Sequence, residues 1–158
     1  MHPWKLNQTW SVGGLLQAGF AEDSAFLIIL THSGRGIFNC LTGEKVARDH
    51  TGGYEFFNQV KLTVQGFGPL EGQIISTSGL YGGGMLRVTE DYWQVENDAQ
   101  NSRIYLKPPT NTEDRFPEAI PIGDYRAVEL RAYGFSETGR SLVIATSADL
   151  TIFTRALA

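Results

Sequence analysis

The stretch Gly19 to Cys40, GFAEDSAFLIILTHSGRGIFNC, returns without a gap at Gly134 to Arg155 as GFSETGRSLVIATSADLTIFTR, with 8 of 22 residues identical. An ungapped internal repeat constrains architecture before local propensity does, because each copy must form the same supersecondary unit. A fainter copy starts at Gly66, GFGPLEGQIISTSGLYGGGMLRV, and sets the expectation of a third unit. Each copy opens on Gly-Phe, passes a small polar turn and enters an apolar run. In Phe26 to Thr31 that run contains no charge, the pattern of a short strand covered on both faces.

Turn residues divide the chain into strand-length pieces. Unit one reads as Val12 to Phe20, Phe26 to Thr31, Gly36 to Leu41 and Lys45 to Asp49; unit two as Val60 to Phe67, Gln73 to Thr77, Met85 to Thr89 and Tyr92 to Glu96. Unit three, Ala127 to Phe135, Ser141 to Thr146 and Leu150 to Thr154, is one strand short. The segment Trp4 to Trp10 is expected to supply the missing strand and cover an open edge. Between units two and three, Asn97 to Asp124 holds four of the six prolines, which argues against a long helix. It reads as an excursion with one strand, Arg103 to Leu106. No segment keeps a helical apolar period. The expected fold is all-β: one domain over residues 1–158, an antiparallel meander of about three repeat units (12–50, 60–96, 127–155) around the proline-rich excursion 97–124, with little or no helix.

The hairpin GFSETGRSLVIATSADLTIFTR resembles the central hairpin of a WD-type β-propeller blade, in which a strand ends in a Gly-Phe-Ser turn ahead of a buried strand. Gly134, Phe135, Ser136, Gly139, Leu142, Val143, Ile144, Asp149, Ile152 and Phe153 carry the likeness. Gly19, Phe20, Leu27, Ile29, Ile37, Phe38, Thr42 and Gly43 carry it in the first copy. The resemblance implies propeller-blade-like units with Phe20, Phe67 and Phe135 as equivalent core positions. The sequence departs from that pattern in lacking the Gly-His and Trp-Asp signatures and in the uneven spacing of Gly19, Gly66 and Gly134. Three units are also fewer than the four of the smallest ordinary propellers.

Charge and cysteine usage bound the partners. A net charge of -4 disfavours a nucleic-acid or anionic-membrane footprint, which needs clustered Lys and Arg; a basic protein partner suits it better. The lone Cys40 permits no intrachain disulfide and points to the cytoplasm. The first ten residues lack the apolar core of a secretory signal, and Ala25 to Leu30 is too short to cross a bilayer.

No catalytic, cofactor-binding or metal-binding residue is assigned. Gly79-Leu80-Tyr81-Gly82-Gly83-Gly84 has the glycines of an anion nest, but an apparent strand follows it where a phosphate loop leads into a helix. It is expected to be a hairpin turn. His2, His32 and His50 lack metal-ligand spacing. Cys40 reads as a packed residue, and Glu22-Asp23, Glu90-Asp91 and Glu113-Asp114 as solvated turn carboxylates. Aromatic residues outside the repeat are the better functional signal, because Tyr and Trp anchor contacts well. Tyr54, Phe56, Tyr92 and Trp93 are the expected partner-binding residues. These features favour a non-catalytic protein-recognition module, of the kind exemplified by a toxin-neutralising immunity protein that occludes a basic partner. Two alternatives stand beside it: a ligand-binding protein or hydrolase with a pocket at one end of the β-assembly, and a structural subunit of a homo-oligomer.

Overall fold

The computed structural model describes residues 2–22, 24–109 and 118–157. It realises the repeat strand for strand. β2 (Leu15–Phe20), β3 (Phe26–Thr31) and β4 (Gly34–Asn39) recur as β13 (Leu130–Phe135), β14 (Ser141–Thr146) and β15 (Asp149–Thr154), each boundary 115 residues further on. Even the irregularities coincide, with an extra residue bulged at Leu16 in one copy and at Arg131 in the other. Thr31 and Thr146 close the central strands alike: their hydroxyls accept from the Ser33 N–H at 3.2 Å and the Ala148 N–H at 3.1 Å. Such side-chain turns satisfy backbone donors that leave the ladder.

The outer strand comes from different places in the two copies. In the first, the chain turns at Thr42-Gly43 into β5 (Glu44–Asp49), which pairs with β4. In the second, β1 (Lys5–Ser11) lies antiparallel to β15, as the sequence predicts. β1 also ties the two sheets together: the Trp10 indole N–H donates to the Gly43 carbonyl at 2.8 Å, and Asn7 Nδ2 to the Leu41 carbonyl at 2.9 Å. The resulting sheets are β5-β4-β3-β2, extended by the short β9 (Ser78–Gly79), and β1-β15-β14-β13.

Two smaller antiparallel sheets flank them, β6 (Phe57–Asn58), β7 (Thr63–Gln65) and β8 (Ile74–Ser76) on one side, β10 (Gln94–Asp98), β11 (Arg103–Lys107) and β12 (Ile120–Asp124) on the other. Three apolar cores define the stacking. Leu27 and Ile29 of the first repeat sheet meet Val143, Ala145 and Ile152 of the second. The first sheet's other face, Ile28 and Leu30, packs on Val64 and Ile75 of the β6–β8 sheet. The second sheet's other face, Leu142 and Ile144, packs on Val95, Ile104 and Leu106 of the β10–β12 sheet. Alternation along a strand explains how one run serves two cores.

Equivalent residues therefore face the same way along the stack: Leu27 corresponds to Leu142, and Ile28 to Val143. The repeat sheets are related head to tail, an arrangement that would propagate unless its ends were capped. The end sheets provide caps. β10 and β11 bury Val95, Ile104 and Leu106 and turn Gln94, Glu96, Arg103 and Lys107 outward; β7 and β8 bury Val64 and Ile75 and leave Gln65, Ile74 and Ser76 exposed.

The fold is all-β and antiparallel with essentially no helix, and among the described residues no sheet closes into a barrel or propeller. Several expectations need correction. The Gly66 segment is not a third copy: Gly68–Leu70 forms a short 3-10 turn, favoured by a Pro69 that has no N–H to offer a ladder. Phe67 packs against the core beside the β6–β8 sheet, as Phe20 does against the core between the repeat sheets, but its ring also stacks 4.6 Å from the guanidinium carbon of Arg35. The expected strand Val60 to Phe67 shrinks to Thr63–Gln65, and Val60 stands fully exposed on the preceding turn. Met85 to Thr89 is extended but joined only by isolated bridges, Leu86 to Phe135 and Val88 to Gln94. In the proline-rich excursion, β11 matches the expected strand and β12 adds a second, with Pro121 tolerated on its free edge. Glu113 and Asp114 lie outside the described residues.

Candidate functional site

The repeated Gly-Phe positions converge on one place. β2 and β13 both end at Gly-Phe, and each glycine admits a close neighbour. A Cβ on Gly19 would stand 2.0 Å from the Ser76 carbonyl oxygen, and one on Gly134 would stand 2.3 Å from Met85 Cβ. Only glycine allows such approaches. They draw the β8–β9 segment and the Gly84–Leu86 segment over the ends of the repeat sheets. The result is a cavity of about 310 Å³, with hydroxyls from Ser24, Ser76, Thr77 and Ser136 beside Phe20 and Met85.

Leu86 and the Ser136–Thr138 turn form its rim, and across them lies a second depression of about 770 Å³ reaching Val88, Glu90, Asp91, Arg155 and Leu157. The two share this rim, and the second is an open groove. Its wall, Met85 to Thr89, is fixed by backbone bonds on both sides: Phe135 N–H donates to the Leu86 carbonyl at 2.8 Å, Val95 N–H to Arg87 at 3.0 Å, and Thr89 N–H to Trp93 at 2.9 Å. Period two then sorts the side chains. Met85 enters the core between the repeat sheets, and Arg87 lays its guanidinium 3.4 Å over the Tyr133 ring while donating to the Tyr133 carbonyl at 3.0 Å. Leu86 and Val88 are left exposed at 48% and 44%.

Arg155 braces the groove floor. It is buried, donates from Nε to the Gly139 carbonyl at 2.7 Å, and holds Asp91 with two bonds of 2.7 and 2.8 Å. Its guanidinium carbon also lies 4.7 Å from the centre of the Trp4 ring. The Arg155 bonds hold the Asp91 carboxyl well below the usual carboxylate range, aided by Thr89. Glu90 and Glu137 line the same groove, and among the described residues neither has a cation partner. The groove thus offers apolar side chains and open carboxylates on a backbone that is already paired.

The four expected contact residues are not brought together. Tyr54 is exposed on a 3-10 turn, its hydroxyl 2.9 Å from that of Tyr81. Phe56, on the same turn, lies 3.6 Å over the Arg35 guanidinium. That arginine is buried and paired with Asp49, and donates to the Gln65 carbonyl at 2.7 Å. At the other end of the stack Tyr92 is exposed at φ +70°, beside the groove turn. Trp93 is only 7% exposed and packs edge-on against Trp4, 6.5 Å away. It serves the core. Leu86, Val88 and Leu157 escape sequence reasoning, because an apolar residue at a sheet end reads like any other strand residue. Arg155 carried a usable signal: it stands where the first copy has the buried Cys40.

Other candidate chemistries meet physical obstacles. In the Gly79–Gly84 stretch four N–H groups are already spent: Gly79 and Gly82 bond each other, Leu80 N–H donates to the Leu16 carbonyl at 2.9 Å, and Tyr81 N–H to Gln17 Oε1 at 2.8 Å, which reduces the expected nest to Gly83 and Gly84. Burial pushes the Cys40 thiol up to about 12, which leaves it protonated and poorly nucleophilic at neutral pH. His32 and His50 are exposed. Among the described residues no group of three or more His, Cys, Asp or Glu is placed to hold a metal ion. In comparisons with family models, with curated proteins and with solved structures, nothing matches this chain.

Proposed function

We propose that the protein is a non-catalytic recognition module that takes a basic protein segment along this groove. The observation that carries the reading is the pairing of exposed Leu86, Val88 and Leu157 with the open carboxylates of Glu90 and Glu137 on a backbone-anchored wall. Apolar anchors slow dissociation, and complementary charge speeds encounter and selects partners. A wall that is already ordered also loses little freedom on binding. The form of action that suits such a surface is occlusion of a basic partner, as an immunity protein does to its toxin. The two repeat sheets serve in this reading as blade-like units whose shared end makes the groove. The polar outer face of β10 and β11 disfavours continued stacking at that end.

The test is affinity capture from native lysate with the intact chain, a Leu86→Ser/Val88→Ser variant and a Glu90→Lys/Glu137→Lys variant. All four positions are at the surface, so the variants are expected to melt with the parent. The reading predicts a basic protein retained by the parent, lost from both variants and weakened by salt. Capture that both variants leave intact would refute it.

A further inference from the structure

A second group of side chains gathers between the first repeat sheet and the β1–β2 connection. β5 carries Lys45 and Arg48, three residues apart, a spacing that places side chains on opposite faces of a regular strand. The register shifts at Val46, so that Lys45 faces Phe38 while Ala47 faces Ile37. This bulge returns Arg48, opposite Gly36, to the face that Lys45 occupies. Both line one pocket of about 320 Å³, together with the hydroxyl residues Ser11 and Ser33 and an apolar wall of Ile29 and Phe38. Gly36 keeps the pocket open, since a Cβ there would stand 3.2 Å from Ile29 Cγ1 and 3.6 Å from Arg48 Nη1.

The two cations are positioned but not neutralised. Arg48 Nη2 donates to Ser33 Oγ at 3.1 Å and to Thr31 Oγ1 at 3.3 Å. The Lys45 ammonium lies 5.2 Å from the centre of the Trp10 ring. Among the described residues neither has a carboxylate partner, whereas Arg35, Lys107, Arg126, Arg131 and Arg155 all do. The described lining holds no acidic residue either. Gathering two like charges costs free energy that a bound counter-charge offsets. In a chain of net charge -4, two cations that share a pocket with no acid in its described lining are open to a bound counter-charge.

We propose that this pocket binds the phosphate group of a small phosphorylated molecule. An ammonium, a guanidinium fork and two hydroxyls can all donate to one tetrahedral dianion, whose oxygens point in several directions. A planar carboxylate offers fewer directions to the same donors. Ile29 and Phe38, both buried, close the back of the pocket and leave the body of the ligand toward solvent, and two cations are too few for a nucleic-acid track. This site is independent of the recognition groove.

The test titrates inorganic phosphate, phenyl phosphate and acetate into the ¹⁵N-labelled intact chain and follows the Arg48 Nε–Hε resonance. A parallel arm adds vesicles containing phosphatidic acid. Expected are saturable shifts with both phosphates, much weaker shifts with acetate, and no binding to vesicles. Lys45→Gln, at an exposed position, is expected to weaken phosphate about tenfold, the equivalent of one charge-assisted hydrogen bond, without moving the melting temperature. Arg48→Lys retains the charge and keeps the result interpretable should Arg48→Gln loosen the Thr31–Ser33 turn. No saturable shift, unchanged affinity in Lys45→Gln, or binding to vesicles alone would overturn the proposal.

Discussion

Removing residues 1–10 takes away nearly all of β1, and with it the outer strand of the second repeat sheet and its tie to the first. The loss can be sized. Trp4 is 3% exposed, packed against Trp93 and Phe135, and emptying a site of that size costs about 3–5 kcal/mol. The Trp10 bond to the Gly43 carbonyl adds about 1 kcal/mol. The β15 backbone groups freed from the ladder turn to water at little net cost. A total of about 5 kcal/mol is a large share of the roughly 5–15 kcal/mol that holds a domain folded. It lowers the melting temperature by about 10–20 °C for a chain of this size. Thermal unfolding by circular dichroism measures this directly, and a peptide spanning residues 1–11, added in trans, should restore part of the loss. A truncated protein melting within about 2 °C of the parent would refute the claim that β1 closes the second sheet.

Gly19→Ala should destabilise by about 1–3 kcal/mol through collision with the Ser76 carbonyl, whereas Gly13→Ala, with open space around its Cβ, should be neutral. Equal urea midpoints for the two variants would contradict the packing role of the repeated glycine. Cys40 should resist an aromatic disulfide reagent in the native state and react at once in denaturant; rapid native reaction would contradict its burial. Asp91, held down by Arg155, Asp49, by Thr51 and Arg35, and Asp124, by Arg126, all have carboxyls below their usual range. A depressed folded-state pKa gives stability that is present above the unfolded value near 4 and lost as pH falls below it. Urea midpoints should therefore hold between pH 7 and 5 and drop at pH 3. A decline already complete by pH 5 would assign acid sensitivity to other groups.

How far the chain could be read from its sequence follows from where its information is local. The ungapped repeat located β2–β4 and β13–β15, because alternation, turn glycines and Thr-capped turns all lie within a few residues of one another. The shortage of one strand in the last unit likewise pointed to Trp4–Trp10. Phe67 misled because a Gly-Phe pair has no meaning apart from what approaches the glycine. At Gly19 and Gly134 the close neighbour is a remote segment, whereas at Gly66 it is the Leu70 carbonyl of the adjoining 3-10 turn, which carries Phe67 toward Arg35. The groove was hidden for a related reason. Leu86 and Val88 are exposed only because Met85 and Arg87 are claimed by β13 and its core, a partnership 46 residues away for Arg87 and Tyr133. Trp93 looked like a contact anchor, yet Trp4, remote in sequence, buries it.

The recognition groove is tested most directly by zero-length carboxylate–amine cross-linking of the intact chain to its captured basic partner, followed by mass spectrometry of the linked peptides. Links from Glu90 and Glu137 to lysines of the partner are expected, and their loss in the Leu86→Ser/Val88→Ser variant. Links concentrated instead at Glu96 on the outer β10–β12 face, or at Glu71 beside the β6–β8 sheet, would contradict it.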